Sequence, residues 1–437
     1  MSTGKTEYTI PDAAPALEQG PLWLRQKRRS LQESFNSTPL PRRGLHLWRY
    51  TDPAKFLAKP SEDDTPFGDH HDAVEEIELE HLRSGHLAGL VTDLGGRQIK
   101  SYGLDQPASQ GLVVMPLSKA VEQHHDLVEP YLYGLVNSQT GKMEAMNGAL
   151  WNDGIFIFVP DNRVVEKPIH LLREAGPAGS VQYPRLLVVV GRNAELTLID
   201  EYGGGSSNDG TGLSYANAAV EMFGLAGSRT RYVTLQRQGP GMRAYLTHRA
   251  RIERGANMLT IPLVFGATLC KQNFGVIMNG QGAESKMYGL LFGTGHQHFD
   301  NHTLHHHAHG QTVSNIDFKV VLRDRAQSAY TGLIRIDRHA RVCEAYQENR
   351  NLLLSPGTRA ETIPELEILN EDVSCSHGAT LGPVDPDSIF YLASRGISRD
   401  QAVRMLVSGF VAPTLKLVPD DLRDRITAFV LRRLEDM

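Results

Sequence analysis

Residues 255–264 read Gly-Ala-Asn-Met-Leu-Thr-Ile-Pro-Leu-Val, a turn signal that leads directly into a short β-type run. Turn signals recur at residues 227–228, 282–283 and 310–311, in steps of roughly 28 residues, and no helical pattern of about ten or more residues interrupts them. Other β-type runs are residues 155–159, 186–190, 194–199, 231–235, 318–322 and 352–354. Such a repeat predicts a solenoid or a propeller. Later turn signals at Ala326, Ala340 and Gly357 are closer, roughly 14 to 18 residues apart. Steps this unequal, without a WD or kelch signature, favour a β-helix over a propeller, so we expect a mainly β protein whose turns stack on one another.

The composition excludes several classes of protein. Of 437 residues, 41% are apolar and 22% charged, which is ordinary for a globular protein of two or three structural units. A formal net charge of −5 argues against nucleic-acid binding. The three cysteines, Cys270, Cys343 and Cys375, are too few and too scattered for a disulfide framework, which fits a reducing cytoplasm. No apolar run reaches about 18 residues and residues 1–7 are polar, so neither a membrane span nor a secretion signal is expected.

Motifs for self-contained catalysis are not evident. The glycine-rich residues 203–212 lack the Gly-Lys-Ser/Thr of a phosphate-binding loop, and they predict a flexible loop between strands. No glycine-flanked nucleophilic serine is present. We therefore expect a chain that is not itself an enzyme.

The sequence divides into three regions. Residues 1–150 are predicted to be mostly helical or irregular, residues 151–372 to form the β-helix, and residues 373–437 to be helical. In the last region Asp385 is a candidate N-cap and Gly396 a candidate C-terminal stop, and residues 398–401 form a candidate capping box. These helices could close the end of the solenoid, or they could present a surface to a partner. The final helix should carry an apolar stripe of Leu422, Ile426, Phe429, Val430 and Leu434.

A cysteine and a histidine stand two positions apart at Cys375 and His377. In an extended segment both side chains point to the same side, so a thiolate and an imidazole could face one ligand together. Both groups are ligands for iron and for soft transition metals. The alternative is structural, with Cys375 as a small buried hydrophobic residue and His377 as a hydrogen-bonded turn residue.

A second histidine-rich region runs from His296 to His309. His296 and His298 alternate as in a strand and loosely resemble the metal motif of cupins, although Asn301 and His302 stand where that motif needs a glutamate. This region supports an alternative function, a cupin-like metal-dependent oxygenase or isomerase. A polar ladder on the face of the solenoid, or a transient metal-contact surface, fits the pattern as well.

Several segments together resemble the SufB/SufD family of iron–sulfur cluster assembly proteins, on the SufD side. They are residues 48–52, Gln347, Asn349, residues 352–355, 364–368, 372–373, 375–380, 390–392, 394–396 and 409–410. The resemblance covers the whole chain, more weakly before about residue 150. SufB-type chains carry Glu-His-Glu-Ala where this chain has residues 376–379, Ser-His-Gly-Ala, and they carry an acceptor cysteine in the segment that matches residues 349–354, which hold none here.

The resemblance implies a right-handed parallel β-helix between helical ends that acts as a scaffold subunit. It implies two partners, a SufB-like paralogue and a SufC-like ABC-type ATPase, and a transient iron or iron–sulfur cluster in the complex with no tightly bound cofactor in the isolated chain. It also implies that His377 and Cys375 are the residues of this chain that take part in cluster assembly. An unpaired strand near the end of the solenoid should pair with the paralogue, or with a second copy in an isolated homodimer. The expected ATPase contacts are Phe390, Tyr391, Arg395, Gly396, Leu406 and Phe410.

Overall fold

A computed structural model describes residues 8–57, 79–95, 98–104, 111–176, 178–205 and 213–435. Most of the glycine-rich segment, residues 206–212, lies outside this range. Sheet A consists of β1 (Gly89–Leu94), β2 (Gln98–Tyr102), β5 (Ile169–Ala175), β8 (Glu195–Gly204), β10 (Arg229–Gln236), β12 (Asn257–Val264), β14 (Glu284–Gly293), β16 (Val313–Leu322), β18 (Cys343–Leu353) and β20 (Val373–Pro383). Sheet B consists of β3 (Val113–Pro116), β4 (Gly154–Val159), β6 (Val181–Gln182), β7 (Arg185–Val190), β9 (Ser214–Gly224), β11 (Met242–Ile252), β13 (Leu269–Met278), β15 (His298–His307), β17 (Gln327–Ile336) and β19 (Arg359–Ile368).

The two sheets face each other as a parallel β-solenoid. From β7 onward the chain alternates between sheets, and each strand pairs in parallel with the strand one turn earlier, as β18 does with β16. One corner of successive turns adopts a left-handed backbone at Gly227, Gly255, Gly282 and Gln311, with φ of 72°, 65°, 73° and 57°. Glycine suits this conformation because it has no Cβ. The predicted β-solenoid and its turn spacing are therefore confirmed.

The strands extend beyond both boundaries expected for the solenoid. β1 pairs in parallel with β5, so the sheet begins well before residue 151. At the other end β20, which continues to Pro383, pairs in parallel with β18 across its whole length. Residues 373–383 therefore form a strand and not the start of the helical region, because β18 offers a complete edge of backbone donors and acceptors.

The N-terminal helices cover the outer face of sheet B. Leu31 and Phe35 of one helix pack with Phe156, Leu187 and Phe223 of the sheet in a single apolar cluster. These helices are α1 (Leu22–Ser37), α2 (Leu117–Gln123), α3 (His125–Val128) and α4 (Lys142–Leu150), with 3₁₀ turns at Pro15–Glu18, His46–Trp48 and Pro53–Phe56.

The C-terminal helices are α5 (Pro386–Ser394), α6 (Arg399–Leu415) and α7 (Asp420–Glu435). Asp385 caps α5 and Ser398 forms a capping box with Gln401, as predicted. The apolar stripe of α7 packs with α6 against the outer face of sheet A, where Leu235, Leu263 and Phe292 lie. The helices therefore lie along a sheet face and leave the end of the solenoid open. None of the helices in the described ranges is long and apolar enough to cross a membrane.

Candidate functional site

Cys375 and His377 lie side by side in the last strand of sheet A. In the parallel register Cys375 is opposite Ala345 and His377 is opposite Gln347. Ala345 and Gln347 are buried and alternate with exposed or half-buried residues along β18, so this row faces the interior of the solenoid. Cys375 and His377 continue the same inward row, and the predicted shared face of the pair is therefore present.

None of the described residues covers this end of the solenoid. In the described part of the chain β19 pairs only with β17 and β20 only with β18, so each strand has one unpaired edge. The inward row is exposed here because no further turn of the described chain stacks on it, and Leu381 is 52% exposed while Leu366 and Ile368 are each 37% exposed. Exposed strand edges and apolar side chains in one place are typical of a surface that another chain covers.

The thiol and the imidazole at this end differ in environment. Cys375 is half-buried and packs against a small cluster that contains Cys343 and Ala345. Burial, with a smaller contribution from Cys343, raises the pKa of the Cys375 thiol, so the thiol stays protonated at neutral pH until a metal or a partner's charge favours the thiolate. His377 is exposed, and no residue within the described ranges makes a hydrogen bond to its side chain. Its ring is therefore available to a ligand or a partner.

Directly beneath this end lies a layer of three amides that sequence reasoning did not assign to the site. Gln347, Asn349 and Asn351 occupy consecutive inward positions of β18, where the preceding strand β16 presents apolar Ile316, Phe318 and Val320. The Nδ2 of Asn349 donates to the carbonyl of Phe318 at 2.8 Å, and the Nδ2 of Asn351 donates to Oδ1 of Asn349 at 2.7 Å. The amide layer is visible in the sequence as the alternation Gln-x-Asn-x-Asn. Only the strand register shows that these side chains face the interior.

The histidines between His296 and His309 do not converge on one site. His298, His302 and His306 of β15 point outward, where His298 contacts Thr51 and His302 bonds to Asp300 at 2.8 Å. His305 and His307 point inward and bond to hydroxyl groups, among them Ser285 and Ser314. No group of three or more His, Cys, Asp or Glu side chains in the described residues is placed to hold a metal ion. The cupin-like alternative is therefore not supported, because strand alternation separates the histidines onto two faces.

The buried histidines should make the protein less stable in mild acid. Burial lowers the pKa of His305 to about 3 and that of His307 to about 4. Between about pH 4 and pH 6.5 both rings are therefore neutral in the folded chain, whereas the same two rings are protonated in the unfolded chain. The free energy of unfolding should be highest above about pH 6.5. As the pH falls toward the two folded-state pKa values, it should decrease by up to about 1.4 kcal/mol per pH unit for each histidine. The unfolding midpoint of His305→Gln should change less between about pH 7 and pH 5 than that of the wild type. An equal change in both proteins would contradict this assignment.

The residues expected to contact an ATPase lie on α5, just after it and on α6, and they differ in exposure. Phe390 is 76% exposed and Tyr391 is 59% exposed, and the guanidinium of Arg395 lies 5.3 Å from the centre of the Tyr391 ring. Gly396 ends α5 with a φ of 82°. Leu406 is half-buried, and Phe410 packs partly into the cluster between the helices and sheet A. The structure thus places Phe390 and Tyr391 at a surface, whereas Phe410 also has a core role.

The fold and this end together define a solenoid protein that offers a thiol, an imidazole and two unpaired strand edges at an open end. Comparison with known proteins identifies the family to which this solenoid protein belongs. The family described as "SUF system FeS cluster assembly, SufBD core domain" matches residues 172–410, and the family described as "SufBD protein N-terminal region" matches residues 17–171. The chain therefore belongs to the SufBD family of iron–sulfur cluster assembly proteins.

Relatives match nearly the whole chain. An iron–sulfur cluster assembly protein SufB of Bacillus subtilis is 26% identical over 417 residues, which cover 94% of this chain and 89% of the relative. SufBD family proteins of Staphylococcus saprophyticus and Staphylococcus haemolyticus are 25% and 24% identical, and each comparison covers 95% of this chain and 90% of the relative. The chain is thus similar in length to these proteins.

Proposed function

We propose that this chain is a SufD-type scaffold subunit without catalytic activity of its own, and that a nascent iron–sulfur cluster forms where its open end meets a SufB-type paralogue. The supporting observation is the inward row of Cys375 and His377, which lies at the uncovered end of the solenoid. A partner that docks there would cover the apolar residues and enclose the imidazole and the thiol. Iron and sulfide are the cargo of this site, bound in the complex and passed on.

The two side chains have different roles in this proposal. The ring of His377 offers a neutral nitrogen ligand for iron and can also carry a proton. Cys375 contributes a thiolate only when iron or the partner offsets its raised pKa. His377 is therefore the principal contribution of this chain, and thiolate ligands can be supplied by the partner.

A second candidate role is that of the SufB-type subunit. It is favoured by the name SufB of the Bacillus subtilis relative. Against it stand residues 376–379, which read Ser-His-Gly-Ala, and the absence of a cysteine from residues 349–354. The two roles differ in the partner that each needs, because a SufB-type chain would complete the complex with a SufD-type paralogue.

Reconstitution with defined partners tests the proposal. The chain is co-expressed under anaerobic conditions with a SufC-type ATPase and with either a SufB-type or a SufD-type paralogue from the same source, and each complex is analysed for bound iron and sulfide. A stable complex that assembles a cluster only with the SufB-type partner supports the SufD-type role. Assembly only with the SufD-type partner supports the second candidate, and cluster formation by the chain alone contradicts the scaffold role. The isolated chain should form a two-fold homodimer through the same end.

The ATPase is proposed to bind at the exposed aromatic surface of Phe390 and Tyr391. Aromatic side chains at the centre of an interface commonly contribute 1 kcal/mol or more each. Replacing both with serine should weaken ATPase binding by about 10-fold or more. The unfolding midpoint should hardly change, because both side chains are exposed. Leu431→Ser on α7 is the matched control, since Leu431 is 40% exposed and lies outside the proposed surface. Equal binding by the double variant and the wild type, measured by titration calorimetry, would refute this location.

A further inference from the structure

Gln347 lies directly beneath His377, and one of its acceptor atoms is unpaired among the described residues. The two residues are opposite each other in the register of β18 and β20, and neighbouring strands lie about 4.8 Å apart, so their inward side chains stack. Gln347 is 3% exposed. Its Nε2 donates to the carbonyl of Gly332 at 3.1 Å, which fixes the orientation of the amide, while its Oε1 accepts no hydrogen bond from any residue that the structure describes.

A buried oxygen without a hydrogen-bond partner destabilises a protein by about 1–3 kcal/mol, so a donor that reaches this oxygen would be stabilising. The neighbouring amides do not meet it, since the Nδ2 of Asn351 is bonded to Asn349 and to the carbonyl of Thr380. The His377 ring is the side chain opposite Gln347 in the next strand, and it is exposed. The N–H of a neutral imidazole is the kind of donor that a carbonyl oxygen accepts.

We infer that Gln347 is a positioning residue whose Oε1 accepts a hydrogen bond from one ring N–H of His377. The bond fixes the tautomer of the ring. The other ring nitrogen then carries a free lone pair and faces the open end of the solenoid. Mutation of a residue that holds a ligand histidine in this way typically weakens metal binding by about 10- to 100-fold. The purpose of the bond rests on the proposed function, but the bond itself does not.

Gly332 gives an independent way to move the amide. A Cβ at residue 332 would lie 2.5 Å from Nε2 and 2.7 Å from Oε1 of Gln347, closer than non-bonded atoms approach. The backbone at Gly332 is not in the left-handed region, so alanine there acts through this contact. Gly332→Ala should therefore displace Gln347 without altering its chemistry.

The test measures the tautomer of His377 directly. The full chain is labelled with ¹⁵N-histidine and its ring nitrogens are observed by NMR at mildly alkaline pH. Signals of His377 are assigned by their loss in His377→Gln. We expect one tautomer in the wild type and a mixture in both Gln347→Met and Gly332→Ala. The matched control is Asn351→Leu, which removes an unpaired oxygen of the same layer beneath Leu381 and should keep the wild-type tautomer.

A mixed tautomer in the wild type, or an unchanged spectrum in a folded Gln347→Met variant, would overturn the inference. Ferrous iron binding by the complex with the paralogue provides the second readout, and its affinity should fall by about 10-fold in Gln347→Met. Should the wild-type complex bind no iron at His377 while the tautomer depends on Gln347, the proposed function fails and the positioning bond stands. Should iron bind equally well in wild type and Gln347→Met, the bond has no functional purpose and the inference fails.

Discussion

Replacing His377 with alanine is expected to reduce cluster assembly by the reconstituted complex to the level seen without this subunit. Alanine offers neither a nitrogen ligand nor a proton carrier, and the His377 ring is the exposed imidazole of the inward row at the open end. Folding should be preserved within about 0.5 kcal/mol, because the side chain is exposed and buries little apolar area. Cluster yield, complex formation and unfolding midpoint are measured on the same preparations.

Two matched variants make this result specific. Ser376→Ala changes the adjacent residue, which points to the opposite side of β20, and should leave cluster yield unchanged. Cys375→Ala should have a milder effect than His377→Ala, because the raised pKa of the Cys375 thiol limits its supply of thiolate. A normal yield from a folded His377→Ala complex would refute the site. A large decrease in its unfolding midpoint would instead make His377 a structural residue.

Charges placed on the open end should separate this chain from its paralogue. Leu366 and Leu381 lie in the inward rows of the last strands of sheets B and A, and both are exposed in the isolated chain. In the complex an aspartate at each position would be buried without a partner. We expect Leu366→Asp with Leu381→Asp to weaken association by about 100-fold or more, equivalent to about 2.7 kcal/mol.

The control for this prediction is Leu22→Asp, which changes a leucine of α1 that is 62% exposed and packs in neither sheet. Analytical ultracentrifugation of the mixed subunits measures the dissociation constant. The double variant should remain folded, since neither leucine is buried in the isolated chain. Association that is unaffected by the two aspartates would place the partner elsewhere on the solenoid.

The turn period and the helix caps were readable from the sequence because each depends on local chemistry. Gly227, Gly255 and Gly282 occur where the backbone needs a left-handed conformation, and Asp385 and Ser398 cap the helices that follow them. Such residues report on their own backbone, so neither tertiary packing nor register is needed to interpret them.

The location of the site within the fold depended on strand pairing and was beyond local reasoning. Residues 373–383 include Gly378, Gly382 and Pro383, which favour an irregular segment, and only the edge of β18 makes them a strand. The apolar stripe of α7 was evident, but the sequence did not show that its target is the outer face of sheet A. The histidines from His296 to His309 are clustered in sequence, yet strand alternation puts them on opposite faces.

Pulsed electron paramagnetic resonance of a cluster-loaded complex tests the central claim most directly. This subunit alone is labelled with ¹⁵N-histidine, combined with unlabelled partners and loaded anaerobically with iron and sulfide, and the reduced cluster is examined for coupling to ¹⁵N. If the cluster forms at the open end, the wild-type complex shows this coupling, and the His377→Ala complex, at whatever residual cluster content it retains, does not. A cluster that lacks ¹⁵N coupling in the wild-type complex, or that keeps it in His377→Ala, would contradict the assignment of the site to His377.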